Sequence, residues 1–281
     1  MILVTGATGT VGRVVVRLLS AAGERVRALT RDAARVPELP GVAGVVGDFG
    51  DPDSLARAAE GATAVFLCTA PGPRVPEQDA AVLDAARAAG VARVVKLSAI
   101  GTGERGGPGD WHAPGEAAVR SCGARWTLLR PSSFASNTLG WAAAIAAGDP
   151  VRNPSGDGVQ GVVDPRDVAE LAVRALTSDG LHARVLTPTG PELLSVDRMA
   201  VQLGAALGRP VKTLALTPEA YRQGLLDAGL APEFAEVAAA GARLVAEGGN
   251  ARLTDDVATV LGRPPRSYAT WAHDHRDAFA R

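Results

Sequence analysis

Three glycines near the start of the chain have a spacing that suits the binding of phosphate groups. Gly6, Gly9 and Gly12 lie in TGATGTVG, between the apolar run ILVT and a segment with helical periodicity. Their spacing, GxxGxxG, is one residue wider in its first gap than the fingerprint GxGxxG. Glycines in such a turn permit a tight bend and a close approach of the backbone to a pyrophosphate, which faces the free N–H groups of the following helix. The turn therefore predicts a dinucleotide site.

The residues expected to contact the cofactor in this turn include its threonines. They are Gly6, Thr8, Gly9, Thr10, Val11 and Gly12. A second position, after the next predicted strand, distinguishes NADP from NAD. An NAD-binding protein usually has Asp or Glu there, whereas this chain has Thr30 followed by Arg31, whose guanidinium can bind a 2′-phosphate. Asp32 leaves NAD(H) as the alternative if the loop shifts by one residue, but NADP(H) is favoured.

The first half of the chain alternates short β-branched runs with longer alanine-rich segments. Strands are predicted at ILVT (2–5), RVRALT (25–30), GVVGD (44–48), TAVFLC (63–68), RVVKLS (93–98) and WTLLRP (126–131). The segments between them have apolar residues at helical spacing. This alternation predicts an α/β fold, with a doubly wound parallel sheet covered by helices on both faces.

After Pro131 the alternation becomes irregular. We predict a helix over 132–149, a strand followed by a helix over 162–176, and a late strand over 211–216. Further helices are predicted over 217–228, 232–247 and 267–280. The expected organisation is an NAD(P)-binding Rossmann domain over 1–131 with 159–178, and a smaller, mostly helical substrate-binding cap domain over 132–158 with 179–281.

Composition excludes several classes of protein. The 281 residues include 29 basic and 30 acidic side chains, and no basic stripe of the kind that binds nucleic acid is present. No run of about 18 apolar residues is free of polar interruption, which argues against a membrane span. The apolar start is too short for a signal peptide. We therefore expect a cytoplasmic protein that binds neither nucleic acid nor membrane.

The two cysteines have no spacing typical of a metal site or a redox motif. Cys68 and Cys122 are expected to be free buried thiols, with a disulfide between them as the alternative. No metal site is predicted, because the histidines late in the chain lack a third ligand at suitable spacing. The apolar helix faces are compatible with a monomer or a homodimer.

Several stretches occur in an order and at spacings similar to those of one known family. They are MILVTGATGTVG, VRALTRD, GVVGDFGDPDSL, VFLCTAPGP, ARVVKLSAIG and WTLLRP. The chain resembles the NmrA-like group of atypical short-chain dehydrogenases, which includes NAD(P)H:quinone oxidoreductases and triphenylmethane reductases. The resemblance covers nearly the whole chain, and it implies a Rossmann domain followed by a small substrate domain.

The resemblance also implies a further set of cofactor contacts. They are Asp48 and Phe49 near the adenine, Thr69, Ala70 and Pro71 along the ribose and pyrophosphate, Lys96 near the cofactor, and Pro131 beside the nicotinamide. Ser98 lies where short-chain dehydrogenases carry a serine near the substrate carbonyl. For Lys96 the alternative is a strand lysine without a functional role.

The chain departs from typical short-chain dehydrogenases at the proton donor. Those enzymes use the tyrosine of a Tyr-x-x-x-Lys motif, but Tyr221 and Tyr268 lie in the late helical region with no lysine four residues on. The segment after the fifth strand instead carries His112 and Glu116, a pair that NmrA-like reductases also often have. Pro114 falls between them, so the helix is expected to begin near Pro114, with His112 in the preceding loop.

Two interpretations of His112 follow. With a pKa near neutrality it can protonate the substrate after hydride transfer, and Glu116 can orient its ring. In the alternative, His112 binds loop backbone, and water or the cofactor ribose supplies the proton, because a flat quinone or cationic dye needs little acid help. The candidate catalytic residues are therefore His112, Ser98 and Glu116.

Three residues after the sixth strand are candidate substrate contacts. Phe134 and Trp141 can stack on a flat apolar substrate, and Asn137 can bind a carbonyl group. An ordinary helix face is the alternative. The partner expected for this surface is a planar, apolar small molecule.

The predicted function is that of an NADPH-dependent reductase. It would transfer hydride to a flat conjugated acceptor, such as a quinone, enone, ketone or iminium carbon. A non-catalytic NAD(P)-sensing regulator that acts through a protein partner is the alternative from a different class. A sugar-nucleotide epimerase is a weaker alternative, because it would normally need the missing Tyr-x-x-x-Lys pair.

Overall fold

A computed structural model describes residues 1–104 and 110–279. Its strands are, in chain order, β1 (Ile2–Val4), β2 (Val26–Thr30), β3 (Val42–Val46), β4 (Ala64–Leu67), β5 (Arg93–Leu97), β6 (Arg125–Leu129), β7 (Val151–Asn153), β8 (Arg184–Leu186) and β9 (Thr213–Ala215). Residues 105–109, 280 and 281 lie outside the described residues. They include the end of the predicted tail helix, at residue 280, and small parts of both predicted domains.

Eleven α-helices and four short 3₁₀ helices are found in the described residues. The α-helices are α1 (Gly12–Ala21), α2 (Pro52–Ala59), α3 (Val75–Ala88), α4 (Ala113–Ser121), α5 (Ala142–Ala147), α6 (Pro165–Thr177), α7 (Val196–Leu207), α8 (Pro218–Asp227), α9 (Pro232–Ala246), α10 (Asp256–Leu261) and α11 (Tyr268–Asp274). The 3₁₀ helices are Ala33–Arg35, Asp110–His112, Ala135–Trp141 and Arg276–Phe279.

These elements form two compact units. Within the described residues, the first unit comprises 1–104, 110–131 and 166–187, and the second comprises 132–165 and 188–279. The expected boundary at residue 178 differs from this division. The reason is β8, which pairs with β6 and so belongs to the first unit.

The first unit is built on a seven-stranded parallel sheet. Its strand order is β3-β2-β1-β4-β5-β6-β8, with β4 paired to β1 so that Phe66 faces Val4. Successive strands are added on one side of β1 up to β3 and on its other side from β4 onwards. The strand order therefore reverses between β1 and β4, and a crevice at such a point is the usual ligand site of doubly wound sheets. The predicted α/β fold with a doubly wound parallel sheet is confirmed.

The sheet forms because its central strands are apolar on both faces. All residues of β1 and β4 are buried, as parallel strands covered by helices require. On α1 the apolar residues Val15, Val16 and Leu19 recur at helical spacing and are buried, so this helix lays one face on the sheet. The edge strand β3 has exposed residues along its length.

The second unit is mostly helical and has its own core. Tyr268 and Trp271 of α11 are fully buried and stack with their ring centroids 5.9 Å apart. The Tyr268 hydroxyl donates a hydrogen bond to Thr138 Oγ1 at 3.1 Å, which satisfies its polar atom. A two-stranded parallel sheet, β7 with β9, completes this unit.

Several predicted elements of the second half differ from the structure. The predicted strand at 162–164 is only an isolated bridge between Val163 and Phe134, since Pro165 begins α6 immediately afterwards. The predicted helix over 132–149 is a 3₁₀ helix followed by the short α5, which ends at Gly148 with a φ of 79°. The strands β7 and β8, three residues each, were not predicted, because such short runs carry little periodicity.

Candidate functional site

The glycine turn between β1 and α1 requires glycine at two of its positions. Gly6 has a φ of 60°, and a Cβ on it would lie 2.9 Å from Cys68 Sγ. A Cβ on Gly12 would lie 2.1 Å from the carbonyl oxygen of Gly6, so the first turn of α1 packs directly on the loop. The tight turn and the close helix packing expected from the sequence are both present in the structure.

The buried Thr5 hydroxyl ties this turn to the end of β4. It lies 3.1 Å from the Phe66 carbonyl oxygen and 2.9 Å from that of Cys68, and it accepts a hydrogen bond from the Cys68 N–H at 2.8 Å. The loops that follow β1 and β4 are thereby held side by side at the reversal of strand order. These two loops carry most of the predicted cofactor contacts.

The start of α1 has the properties of an anion site. Val11 precedes the helix and provides no side-chain cap, and the first turn contains no acidic residue. Thr8 is half-buried, whereas Gly9 and Thr10 are exposed and accessible to a ligand. The positive end of the helix dipole, with no acidic side chain near it, favours a pyrophosphate here, so the turn fits the dinucleotide that its spacing predicts.

Arg31 and Asp32, which follow β2, are the two candidates for recognition of the adenosine ribose, and they differ in their contacts. Asp32 caps the 3₁₀ helix Ala33–Arg35, because its Oδ1 accepts the Ala34 N–H at 3.0 Å. Arg31 is exposed, and among the described residues its side chain has no hydrogen bond or ion pair. The Asp32 carboxylate, which would favour NAD, is thus engaged in a backbone hydrogen bond, whereas the Arg31 guanidinium is accessible.

The loop after β3 places Asp48 and Phe49 beside the sheet. Asp48 is exposed, and its Oδ1 accepts the Gly50 N–H at 2.8 Å. Phe49 is half-buried and packs against the core of the first unit. A role for either residue near an adenine remains a prediction.

The loop after β4 contains Thr69, Ala70 and Pro71. Ala70 and Pro71 are exposed, while the half-buried Thr69 donates a hydrogen bond to Asp79 Oδ1 at 3.4 Å. Cys68, at the start of this loop, is a free thiol, as is Cys122. Both cysteines are half-buried rather than fully buried as expected. Desolvation in its surroundings raises the pKa of Cys68 to about 11, which keeps it protonated at neutral pH.

A first group of polar side chains surrounds Lys96 and is called the lysine cluster. It consists of Thr69, Asp79, Lys96 and His112. Lys96 of β5 donates to Asp79 Oδ2 of α3 at 2.5 Å, and both side chains are fully buried. Its Nζ also lies 3.4 Å from His112 Nδ1. Lys96 is therefore a buried ion-pair partner that faces an imidazole.

Burial shifts the pKa values of Asp79 and His112 in the lysine cluster. Desolvation raises the pKa of Asp79, although the charge and the hydrogen bond of Lys96 oppose this effect. Desolvation, reinforced by the Lys96 charge and opposed by Glu116, lowers the pKa of His112 from 6.5 to about 4. His112 is therefore neutral at pH 7, and the expectation of a near-neutral pKa is corrected.

A second group, called the glutamate cluster, consists of Ser98, Glu116, Arg120 and Arg130. Arg130 binds Glu116 in a bidentate manner, with Nε 2.8 Å from Oε1 and Nη2 2.7 Å from Oε2. Ser98 donates to Oε1 at 2.6 Å, and Arg120 donates to Oε2 at 3.2 Å. Glu116 is thus a buried carboxylate whose two oxygens are both held by donors.

These donors outweigh the cost of burying the charge. Desolvation would raise the pKa of Glu116, but the hydrogen bonds from Arg130 and Ser98 and the charges of Arg130 and Arg120 bring it below 4.5. Because its oxygens are engaged, Glu116 does not hydrogen-bond the His112 ring, and the proposed orienting role is corrected. Lys96 faces that ring instead.

Pro131 and the three candidate substrate contacts follow β6. Pro131 is buried and its carbonyl accepts the Ile100 N–H at 3.0 Å. In the second unit, Phe134 is half-buried and precedes the 3₁₀ helix Ala135–Trp141, and Asn137 is exposed. Trp141 packs against the core of that unit, which accounts for part of its surface. Their contact with a substrate stays a prediction.

Sequence reasoning missed Asp79 and Arg130, which hold the two clusters together. Asp79 shares the buried face of α3 with Val75 and Val82, and an acidic residue at such a position signals a buried partner. Lys96 gives the matching signal, because it is one of two lysines in the chain and interrupts an apolar strand. The pairing of Asp79 with Lys96 and of Arg130 with Glu116 depends on how the helices pack on the sheet, which the sequence does not show.

In the described residues, no group of three or more His, Cys, Asp or Glu side chains is arranged to hold a metal ion. None of the helices in the described part of the chain is long and apolar enough to cross a membrane.

Comparison with known proteins identifies the family. A protein family described as NAD(P)H-binding matches residues 6–179, a span that begins at the first glycine of the turn and includes both clusters. The chain belongs to this NAD(P)H-binding family. The match covers more than half of the chain, and relatives extend the similarity over the rest.

Two curated relatives of this family member are similar along their full lengths. The (4-alkanoyl-5-oxo-2,5-dihydrofuran-3-yl)methyl phosphate reductase of Streptomyces griseus is 41% identical, with 100% of this chain and 99% of the relative covered. The NAD(P)H azoreductase of Xenophilus azovorans is 37% identical, with 99% of each chain covered. Both relatives are reductases.

A solved structure supports the same classification. The triphenylmethane reductase of Citrobacter sp., crystallised with NADP(H), is 25% identical and superposes with a TM-score of 0.85 over 97% of this chain and 100% of the other. The resemblance predicted from the sequence is confirmed. This member of the NAD(P)H-binding family is an NAD(P)H-dependent reductase.

Proposed function

We propose that this reductase uses NADPH in preference to NADH. The observation that carries the proposal is the pair of residues after β2. Asp32 is engaged in capping the 3₁₀ helix, while the exposed Arg31 is available for the 2′-phosphate. A planar guanidinium binds a phosphate through two charge-assisted hydrogen bonds, which an NADH ribose cannot replace.

The chain's own residues divide the work of holding the dinucleotide. The glycine turn and the start of α1 would receive the pyrophosphate, Arg31 the 2′-phosphate, and the loop after β4 the adjoining ribose. When bound, NADPH supplies a hydride to the acceptor. The reduced acceptor also needs a proton or a hydrogen-bond donor at its oxygen or nitrogen, and His112 is the candidate donor.

Ser98 and Glu116 have a different role in this proposal. The Ser98 hydroxyl is buried and donates to Glu116, so its hydrogen is engaged within the glutamate cluster. We infer that both residues stabilise the end of β5 and do not contact the reacting atoms. Of the three candidate catalytic residues, only His112 is assigned to the substrate.

The proposed acceptor is a flat conjugated molecule. The Streptomyces relative reduces an alkanoyl-substituted dihydrofuranone phosphate, and the Xenophilus relative reduces azo compounds. The Citrobacter reductase acts on triphenylmethane dyes. These acceptors share a conjugated system that can take up hydride, which supports the same acceptor class for this chain.

The experiment is a turnover assay with a panel of acceptors. NADPH consumption by the purified protein is followed with a quinone, an azo dye, an alkanoyl dihydrofuranone and a triphenylmethane dye, and with NADH in parallel. Turnover of at least one conjugated acceptor at a higher kcat/KM for NADPH is expected. Binding of NADPH without turnover of any of the four would overturn the acceptor class, and a preference for NADH would overturn the cofactor proposal.

A further inference from the structure

The contact between Lys96 and His112 determines which ring nitrogen carries hydrogen. A lysine ammonium has three donors and no acceptor. Because Lys96 Nζ lies 3.4 Å from Nδ1 of His112, that nitrogen must accept. In the neutral ring the hydrogen then resides on Nε2, and a second proton on Nδ1 would point directly at the ammonium.

Lys96 is itself fixed in place. Its Nζ lies 2.5 Å from Asp79 Oδ2, and neither side chain is accessible to solvent. Gly115 of α4 leaves the room for this carboxylate, since a Cβ at that position would lie 2.0 Å from Asp79 Oδ2. Thr69 donates to the other oxygen of Asp79. The ammonium is thus anchored by a carboxylate that is itself held in place.

The charged groups around His112 act in opposing directions. The 3₁₀ helix Asp110–His112 packs against α3 and α4. From β5, Lys96 disfavours the imidazolium. From α4, Glu116 favours it, but that carboxylate is engaged with two arginines. From α3, Asp79 is already paired with Lys96. Burial of the ring is the largest cause of the low pKa of His112, and the Lys96 charge adds to it, so the imidazole is neutral.

We propose that Lys96 and Asp79 are positioning residues, which hold His112 as a neutral imidazole with its hydrogen on Nε2. In this form His112 serves as a fixed hydrogen-bond donor to the oxygen or nitrogen that gains charge when the acceptor is reduced. A preorganised neutral donor stabilises developing negative charge without first having to be protonated. The proton that completes the reduction then comes from water. The donor role of His112 toward the acceptor rests on the proposed function, whereas its tautomer and neutral state do not.

The tautomer is tested by ¹⁵N NMR of the labelled protein, with the His112 signals assigned through H112Q. From pH 8 to 5, Nδ1 is expected to give the signal of an unprotonated nitrogen and Nε2 that of a protonated one. A ring protonated on Nδ1, or one that titrates near pH 6.5, would overturn the proposal. This measurement requires neither cofactor nor acceptor.

The roles of Lys96 and Asp79 are tested by K96M and by K96M/D79N. K96M leaves Asp79 buried without its partner and is expected to unfold more readily, whereas the double variant removes both charges. In the double variant we expect the melting temperature to return towards that of the wild type. The protonation behaviour of His112 should not return to that of the wild type. Its titration midpoint should rise by about one pH unit and its fixed tautomer should be lost. The exposed Lys212 provides the matched control, because K212M should change neither property.

Kinetics give an independent readout. With an acceptor that the wild type reduces, kcat should be constant from pH 8 to 5, and in K96M/D79N it should fall about tenfold and become pH-dependent in that range. Wild-type kcat and a wild-type His112 signal in the double variant would show that the pair is merely structural and would overturn the proposal. If no acceptor is turned over at all, the proposed function fails, but the NMR result still decides the tautomer.

Discussion

Lys96 and Ser98 lie two residues apart at the carboxyl end of β5, and each contacts one buried carboxylate. Asp79 in the lysine cluster receives one ammonium and one distant hydroxyl, and burial raises its pKa. Glu116 in the glutamate cluster receives a serine hydroxyl and two guanidinium groups, and its pKa falls. Two carboxylates that are both shielded from solvent thus have pKa values shifted in opposite directions, and the carboxylate with more donors has the lowered pKa.

Because they differ in the number of donors, the two clusters are expected to have different roles. Glu116 with its arginines is satisfied on both oxygens, which is the arrangement expected of a structural link. The lysine cluster contains fewer donors and includes an imidazole that is neutral at pH 7. An ion pair with so little compensation is costly to bury, and such groups occur most often where chemistry requires them.

The largest expected effect is that of D79N, which leaves the Lys96 ammonium buried without a carboxylate. The free energy of unfolding should fall by about 3 kcal/mol, as in other buried pairs that lose one partner. Urea unfolding measures it. D84N changes an exposed aspartate of the same helix and should have little effect. A D79N protein as stable as D84N would contradict the description of the lysine cluster.

R130M is expected to have a smaller effect, because Glu116 keeps its bonds to Ser98 and Arg120. The loss of two charge-assisted hydrogen bonds should lower the free energy of unfolding by about 2 kcal/mol. R120M provides the control, since Arg120 is more exposed and makes one hydrogen bond to Glu116 at 3.2 Å, besides lying over the Trp126 ring. Equal losses in R130M and R120M would show that the bidentate contact has no special importance.

The smallest effect concerns the pH dependence of stability. The pKa of His112 is about 4 in the folded protein and near 6.5 when unfolded, so the unfolded chain takes up this proton first as the pH falls. His112 therefore makes the protein less stable as the pH falls from 6.5 towards 4. The melting temperature of H112Q should decline less than that of wild type between pH 6.5 and 4.5. H273Q, at an exposed histidine, should follow the wild type, and parallel curves for all three proteins would contradict the low pKa.

The sequence was sufficient for the sheet and the glycine turn, because both depend on local patterns. Uninterrupted apolar runs mark buried parallel strands, and glycine spacing marks the turn. The three-residue β8 carries too little pattern to be recognised, and its membership of the sheet follows from pairing with β6. The domain boundary shifted for the same reason.

The sequence also supplied the side chains of the two clusters but not their connections. The family resemblance implied Lys96 and Ser98, and the spacing of His112 and Glu116 singled out that pair. Their partners, Asp79 on α3 and Arg130 directly after β6, were missed because the pairing depends on how distant elements pack together. The pKa of His112 depends on the same packing, which is why a near-neutral value was expected from the sequence and a low one is found.

The NADPH site is tested most directly by the dissociation constants of NADPH and NADH for the wild type and R31A. R31A should bind NADPH about tenfold more weakly, because a charge-assisted phosphate contact is lost, and should bind NADH unchanged. R35A, at an exposed arginine in the following 3₁₀ helix, serves as the control. An R31A protein that binds NADPH as tightly as wild type, or loses both cofactors equally, would contradict the assignment of Arg31 to the 2′-phosphate.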